Sequence, residues 1–263
     1  MVDDKASTVV NVPKKEEQVP QGVSRQGVSR ERAFDIEAWK PITKLGRLVK
    51  AGKITSMDEI LDKGMTILEA EIVDALLPGI QNDLLSVGQS KGKFGGGKPS
   101  IWRQTQKKTK EGNKASFSAL AVVGNGDGYI GLGLGKARET VPAREKATFQ
   151  AKLHLIKIRR GSGSWESGEP KANSIPFAVQ GKCGSVKMTL MPAPQGKGLV
   201  VEKECRKILS MAGIKDVYSK TSGHTGTKLN LLKACFNALE QLSKVKVQEE
   251  HYQTLGIVEG AKV

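Results

Sequence analysis

The sequence predicts an α+β protein: a helical N-terminal extension, then two successive α+β domains, with disordered tails at both ends. The first observation is a hairpin pattern at residues 124–128, where two apolar runs flank Asn-Gly and Asp-Gly pairs that supply the positive φ angles of a tight turn. The second is an alanine repeat at helical spacing directly after this hairpin. The third is a further set of strands and amphipathic helices between residues 161 and 243.

Residues 1–38 are predicted to form a disordered tail, because Lys, Glu, Gln, Pro and Ser dominate and leave few side chains to bury. The pentapeptide Gln-Gly-Val-Ser-Arg occurs there twice in tandem, which is interpreted as a slipped repeat or as a short basic contact for RNA or protein. Residues 39–85 are predicted to be a helical extension, with capping boxes that pair Ser56 with Glu59 and Thr66 with Glu69. Residues 86–100 are predicted to be a flexible Gly/Lys loop.

Residues 101–160 are predicted to contain three antiparallel strands followed by one helix. The strands are placed at 101–106, 117–123 and 129–134, and residues 107–113 form the loop between the first two. Pro142 is predicted to be the first helical residue. The apolar positions that then recur at helical spacing are Ala143, Ala147, Ala151 and Leu155.

Residues 161–243 are predicted to form a second α+β unit. Its strands are placed at 175–179, 186–191 and 217–218. One helix is predicted to end at Gly213, a plausible C′ residue, and an amphipathic helix is predicted over 229–242. Residues 244–263 are predicted to be a tail.

Positive charge is concentrated in two segments. The chain carries 42 Lys and Arg against 27 Asp and Glu, a formal net charge of +15. Residues 86–118 and 136–160 hold eight Lys or Arg each, against one and two acidic residues. Because neutralising phosphates releases condensed counterions, such clustering is typical of an RNA-binding surface. The side chains predicted to bind RNA are Lys107, Lys108, Lys110, Lys114, Lys136, Arg138, Arg144, Arg159 and Arg160.

Two glycine-containing motifs are predicted to bring RNA close to the chain. Gly133 and Gly135 leave room either for a sugar–phosphate backbone or for another part of this chain. Lys197 lies in a Pro-Gln-Gly-Lys-Gly loop that is predicted to enter a helix, where free amides and the ammonium group would bind a phosphate. The motif that contains Gly133 and Gly135 is not a nucleotide-binding P-loop, since Ala137 follows Lys136 where that loop needs Ser or Thr.

No catalytic or cofactor-binding constellation is recognisable in the sequence. The three cysteines, Cys183, Cys205 and Cys235, are too widely spaced for zinc-ligand pairs, and their odd number favours a reducing compartment. The sequence therefore predicts a cytosolic protein that is not an enzyme, has no cofactor and is not inserted in a membrane.

The 26 residues at 112–137, GNKASFSALAVVGNGDGYIGLGLGKA, closely resemble the signature of the S-five family of small-subunit ribosomal proteins. Residues 192–200 (PAPQGKGLV) and 207–216 (KILSMAGIKD) resemble motifs of that family's second domain. Residues 39–50 resemble the extension of cytosolic eukaryotic and related members, called S-two in eukaryotic nomenclature. The resemblance implies a double-stranded-RNA-binding-like domain at 101–160, followed by an S-five C-terminal domain.

The resemblance also implies a function, that of a structural constituent of the small ribosomal subunit. Such a protein binds rRNA, supports subunit assembly, and contributes to the mRNA entry channel and to decoding fidelity. Its expected neighbours are proteins of the S-four, S-three and S-eight families, with Gly198 and Arg206 at the S-four interface. The expected location is the cytoplasmic ribosome, with nucleolar assembly if the source is eukaryotic.

Two alternatives are weighed against this function. The second domain is related to that of galactokinase-type kinases, but Leu-Val-Val-Glu-Lys stands at 199–203 where those kinases have a Ser-Ser-Ala run before their helix. A free RNA chaperone is the other alternative, which cofractionation with small subunits would exclude.

Overall fold

The N-terminal extension consists of three short helices and one strand. The structure, a computed structural model, describes residues 36, 38–89 and 97–260, so residues 1–35 and 37 of the predicted tail at 1–38 and the centre of the Gly/Lys loop lie outside the described residues. The elements of the extension are α1 (Lys44–Lys50), α2 (Met57–Asp62), α3 (Ala70–Leu76) and β1 (Gln81–Leu85). Their apolar side chains form a small core that also includes Tyr129 and Leu155 of the first domain.

Glu69 does not form the predicted capping box with Thr66. The Glu69 side chain is buried, and its Oε1 accepts hydrogen bonds from the backbone amides of Ile42 at 2.9 Å and Thr43 at 2.5 Å, immediately before α1. Glu69 thus ties the beginning of α1 to the beginning of α3, because its carboxylate satisfies two amides that have no helical partner.

A five-stranded antiparallel sheet forms the first domain. The three predicted strands are present, but β4 (Arg103–Thr109) and β5 (Gly112–Gly124) run further than predicted and leave only residues 110 and 111 between them. The third is β6 (Tyr129–Ala137), and β7 (Leu155–Lys157) lies beside it. The order is β1-β5-β6-β7, and β4 pairs with the part of β5 that β1 does not reach. A short pair, β2 (Gly88–Gln89) with β3 (Pro99–Ser100), lies outside this sheet.

The helix α4 (Thr140–Leu153) covers one face of this sheet. It begins two residues before Pro142, so the predicted helix start is displaced by two positions. Its buried residues are the predicted alanines Ala143, Ala147 and Ala151. The opposite face of the sheet is covered by the second domain.

The second domain has a four-stranded sheet in the order β11-β12-β10-β9, in which only β11 and β12 are parallel. Residues 175–178 are not a strand, although Ile175 is fully buried. One continuous core joins this domain to the first sheet, since Leu120, Val122 and Ile130 pack with Met188 and Leu239. The elements are β8 (Arg159–Arg160), β9 (Val179–Cys183), β10 (Val186–Pro192), β11 (Leu199–Val200), α5 (Lys203–Met211), β12 (Val217–Ser222) and α6 (Lys228–Lys244).

The described part of the C-terminal segment differs from the predicted tail. After α6 come α7 (Glu249–Thr254) and β13 (Val258–Glu259), which pairs with β8 near the junction of the two domains. Ile257 between them is buried. The segment therefore returns to the body of the protein.

Candidate RNA-binding interface

The most exposed basic element is a two-stranded ribbon made by β4 and the first residues of β5. Every residue from 103 to 114 is exposed, so both faces of this ribbon are open. Lys107 lies directly opposite Lys114, and Lys108 opposite Asn113, while Lys110 lies in the connecting turn. Residues 103–114 are called the basic ribbon below.

The four lysines of the basic ribbon have no acidic partner within the described parts of the chain. Like charges directly opposite each other destabilise an antiparallel pair. The Lys107–Lys114 pair is therefore an arrangement that a bound polyanion would stabilise. Arg103, which the sequence reasoning did not select, is exposed on the same strand.

A second basic group lies where β6 leads into α4. Lys136 and Arg138 are exposed there, whereas Arg144 is half-buried on α4. Lys136 and Lys146 line one open groove between β6 and α4, together with the exposed side chain of Phe149. Lys146 was not among the predicted RNA-binding residues, although its position off the alanine stripe of α4 was the signal that could have identified it.

The prediction that Gly133 and Gly135 provide a close approach for RNA is wrong, and the alternative of close contact within the chain is confirmed. Both glycines are buried against α4. A Cβ atom at Gly133 would lie 2.3 Å from the carbonyl oxygen of Ala147, and one at Gly135 would lie 2.1 Å from that of Ala143. The two glycines are therefore needed to seat the helix on the sheet.

Arg159 and Arg160, which were predicted to bind RNA, have partners within the chain instead. The Nε of Arg159 donates to Oε1 of Glu259 at 2.5 Å, and its Nη1 donates to the carbonyl of Val245. Arg160 is buried, where its Nη2 donates to the carbonyl of Gly260 at 3.0 Å and its Nη1 lies 3.6 Å from Asp127. Both guanidinium groups hold the C-terminal segment in place.

Burial lowers the pKa of Arg160 below the ordinary value for arginine, although the neighbouring carboxylate of Asp127 opposes that effect. A buried cation of this kind is a structural group with fixed partners.

The predicted phosphate site at a helix N-terminus is wrong as well. Lys197 is exposed, but its loop enters β11 instead of a helix. The N-terminus of α5 is capped by Glu202, whose Oε2 accepts from the amides of Glu204 at 2.8 Å and Cys205 at 3.1 Å. The amide of Gly198 donates to Oδ1 of Asp216 at 2.7 Å. Lys197 itself is left as a single exposed cation.

Gly198 and Arg206, the predicted protein-interface residues, lie on different elements. Gly198 precedes β11 and has a φ of +77°, while Arg206 is exposed on α5, beside the residues of β1.

The open face of the second sheet carries a basic group that the sequence reasoning missed. Lys187 of β10 lies directly opposite Lys182 of β9, and Lys220 is exposed on β12. None of the three has an ion pair among the described residues. The signal was the alternation of β10, whose Val186, Met188 and Leu190 are buried while Lys187 points away from the core. These three lysines are called the basic sheet face.

Neither a metal-binding cluster nor a membrane-spanning helix is present among the described residues. Nowhere in residues 38–89 or 97–260 are three or more His, Cys, Asp or Glu side chains placed to hold a metal ion. Cys205 and Cys235 are fully buried, and the hydrogen bond with Cys235, together with burial, raises the pKa of the Cys205 thiol above its usual range. Within the same ranges, no helix is long and apolar enough to cross a membrane.

The fold and these surfaces define an α+β protein with three exposed basic groups: the basic ribbon, the group where β6 leads into α4, and the basic sheet face. Comparison with known families gives its family. Residues 101–159 match the ribosomal protein S5 N-terminal domain, and residues 181–251 match the ribosomal protein S5 C-terminal domain.

Curated relatives extend this similarity over most of the chain. The small ribosomal subunit protein uS5 of Nanoarchaeum equitans is 48% identical over 86% of this chain and 97% of its own length. The proteins of the same name from Methanocaldococcus jannaschii and Methanothermobacter thermautotrophicus are 45% and 46% identical, over 86% and 85% of this chain and 98% and 97% of theirs. The chain belongs to the uS5 family of small ribosomal subunit proteins. The S-five resemblance is thereby confirmed, and the protein is not an enzyme.

Proposed function

We propose that this chain is a structural constituent of the small ribosomal subunit that binds rRNA through the basic ribbon. The observation that carries the proposal is the direct opposition of Lys107 and Lys114 on a ribbon whose two faces are both exposed. Such a ribbon offers ammonium groups to phosphates on either side, and phosphate contacts dominate the affinity of RNA-binding proteins. The name that the relatives carry supports the same function.

The proposal is tested by the salt dependence of binding to small-subunit rRNA. In the variant K107Q/K108Q/K110Q/K114Q, affinity should fall, and the slope of log affinity against log salt should become shallower by about 0.7–0.9 for each lost phosphate contact. The matched control is K63Q/K171Q/K228Q/K244Q, which removes four lysines that are already paired with acidic residues of this chain. Equal slopes for the two variants would overturn the proposal.

Two further basic groups support a wider footprint on rRNA. Lys136, Arg138 and Lys146 extend the interface along α4, and the basic sheet face adds a separate contact on the second domain. Because the two domains share one hydrophobic core, the chain would hold two rRNA segments in a fixed relation. This arrangement supports a role in subunit assembly.

The finer parts of the function rest on the family. They comprise a contribution to the mRNA entry channel and to decoding fidelity, contacts with proteins of the S-four, S-three and S-eight families, and nucleolar assembly if the source is eukaryotic. Arg206 supports a protein contact, since its guanidinium is exposed on α5.

A further inference from the structure

Trp165 has the most exposed large apolar side chain among the described residues, with 92% of its surface accessible. The two other tryptophans differ, since Trp39 is buried and Trp102 is half-buried. A packed tryptophan buries roughly 150–250 Å² of surface. Because the Trp165 side chain is exposed, it buries little of that area and contributes little to the stability of this chain.

The turn that carries Trp165 is fixed at its base. The amide of Ser167 donates to the carbonyl of Ser164 at 3.2 Å, which closes a turn with Trp165 and Glu166 at its tip. Below the turn, Gly161 and Ser174 exchange two backbone hydrogen bonds, of 2.9 and 3.1 Å. The indole is therefore presented by a constrained loop, which reduces the entropy lost when it binds a partner.

The base of the turn also leaves no room for rearrangement. A Cβ atom at Gly163 would lie 2.0 Å from the carbonyl oxygen of Pro176, so the two backbones are in close contact. The amide of Ser162 donates to the carbonyl of Leu255 at 2.8 Å, which joins the turn to the segment that follows α7.

The surroundings of Trp165 are acidic, in contrast to the net charge of +15 of the whole chain. Glu166 is its neighbour at the tip and has no ion pair within the described residues, while Glu169 is paired with Lys171 at 2.5 Å. The adjoining helix α7 exposes Glu249 and Glu250. Carboxylates repel phosphates, so this end of the molecule favours a cationic partner over RNA.

We infer that Trp165 and Glu166 form a docking point for a second protein, one with an apolar pocket bordered by Lys or Arg side chains. Tryptophan is among the residues that contribute most to protein–protein interfaces, and a charged neighbour adds specificity at the rim. The inference rests on the proposed function in one respect only, in taking that partner to be a protein of the small subunit.

The experiment measures how accessible Trp165 is to acrylamide. The full-length chain is labelled with 5-hydroxytryptophan, which can be excited without exciting the tryptophans of other proteins. A W165F chain labelled in the same way gives the signal of the other two positions for subtraction. Quenching is measured for the free chain, with protein-free small-subunit rRNA, and with the total protein extracted from small subunits.

The expected result is that the extracted proteins remove the quenchable signal of Trp165 and that rRNA alone leaves it unchanged. In E166K the protection by the extracted proteins should be lost, while E145K, on the exposed surface of α4, should keep it. Protection by rRNA alone would overturn the inference in favour of stacking on RNA. Absence of protection by the proteins would overturn it as well, whether or not the chain binds rRNA through the basic ribbon.

Discussion

Arg159 of β8 and Glu259 of β13 form an ion pair across 100 positions of the sequence, with Nε and Oε1 2.5 Å apart. The same carboxylate accepts the hydroxyl of Tyr252 at 2.5 Å, and its Oε2 lies 3.8 Å from Nζ of Lys157. Lys157 also contacts Asp62 at 2.6 Å, on α2. One group of charges thus joins the N-terminal extension, the first sheet and the C-terminal segment.

Replacing Glu259 should release the C-terminal segment. We expect E259A to lower the free energy of unfolding by about 1–3 kcal/mol, because a partly buried cation and a phenol lose their shared acceptor. Urea unfolding followed by circular dichroism measures this change. The control E240A removes the partner of Lys244 in an exposed pair on α6 and should cost less than about 0.5 kcal/mol. Equal losses would show that the Arg159 pair contributes no more than a surface pair.

The ionisation of Glu69 should make the extension sensitive to acid. Burial raises the pKa of Glu69, but the hydrogen bonds from Thr43 and Ile42 outweigh it, and the pKa lies below its ordinary value. A lowered pKa in the folded state means that stability is present above the ordinary pKa of glutamate and is lost as the pH falls through the folded value.

E69Q should therefore be less stable than the parent chain at pH 7, by about 1 kcal/mol, since hydrogen bonds to a charged acceptor are stronger than those to an amide. The difference should shrink as the pH is lowered below 4. Thermal unfolding over this pH range measures it, and E145Q on the exposed side of α4 should show no such trend. A difference that is constant with pH would exclude the ionised carboxylate as its cause.

Gly135 and Gly168 provide a matched test of close packing. We expect G135A to destabilise the protein by about 2–3 kcal/mol, because its methyl group would overlap the carbonyl of Ala143 and displace α4. G168A should change stability by less than about 1 kcal/mol, since no atom lies within 4 Å of the added carbon. If G135A is as stable as the parent and instead binds rRNA weakly, Gly135 contacts RNA after all.

The basic sheet face should contribute to rRNA affinity independently of the basic ribbon. In K182Q/K187Q/K220Q, the slope of log affinity against log salt should become shallower by about 0.7–0.9 for each phosphate contact that is lost. Its effect should add to that of the ribbon variant, because the two surfaces lie on different domains. The control K63Q/K171Q/K244Q removes the same charge from paired positions. If the slope of log affinity against log salt matches that of the control, the basic sheet face is not part of the rRNA-binding interface.

Gly198 and Arg206 should affect decoding more than assembly. We expect G198R and R206L to raise misreading of near-cognate codons, because both would weaken the proposed contact with an S-four neighbour, a contact that would rearrange when the subunit closes. A coupling of about 1–3 kcal/mol is typical of such linked sites. A dual-reporter assay in cells that carry only the variant chain measures it. Normal fidelity at normal subunit levels would contradict this role, and reduced subunit levels would assign both residues to assembly.

Local patterns predicted the first domain well, since its turn and its helix are encoded by neighbouring residues. The Asn-Gly and Asp-Gly pairs do form the turn between β5 and β6, where Gly126 and Gly128 have positive φ angles. The alanine stripe of α4 is buried as expected. The lysines of the basic ribbon are exposed because the strands that carry them extend beyond the sheet.

Long-range partners explain most of the errors. Sequence alone could not show that Glu259 neutralises Arg159, because the two residues are brought together only by the C-terminal segment. It could not show that α4 fills the space beside Gly133, or that Asp216 takes the amide of Gly198. A basic residue therefore predicts an RNA contact only where the fold supplies no acidic partner.

The pairing of β1 with β5 has a consequence for the smallest fragment that can fold. Gln81 to Leu85 pair residue by residue with Leu120 to Gly124, and Leu85 is fully buried in the shared core. A fragment beginning at Ile101, where the family match begins, would leave this edge of β5 without a neighbour. An unpaired apolar edge recruits strands from other molecules. Such a fragment should aggregate, whereas one that begins before β1 should stay monomeric.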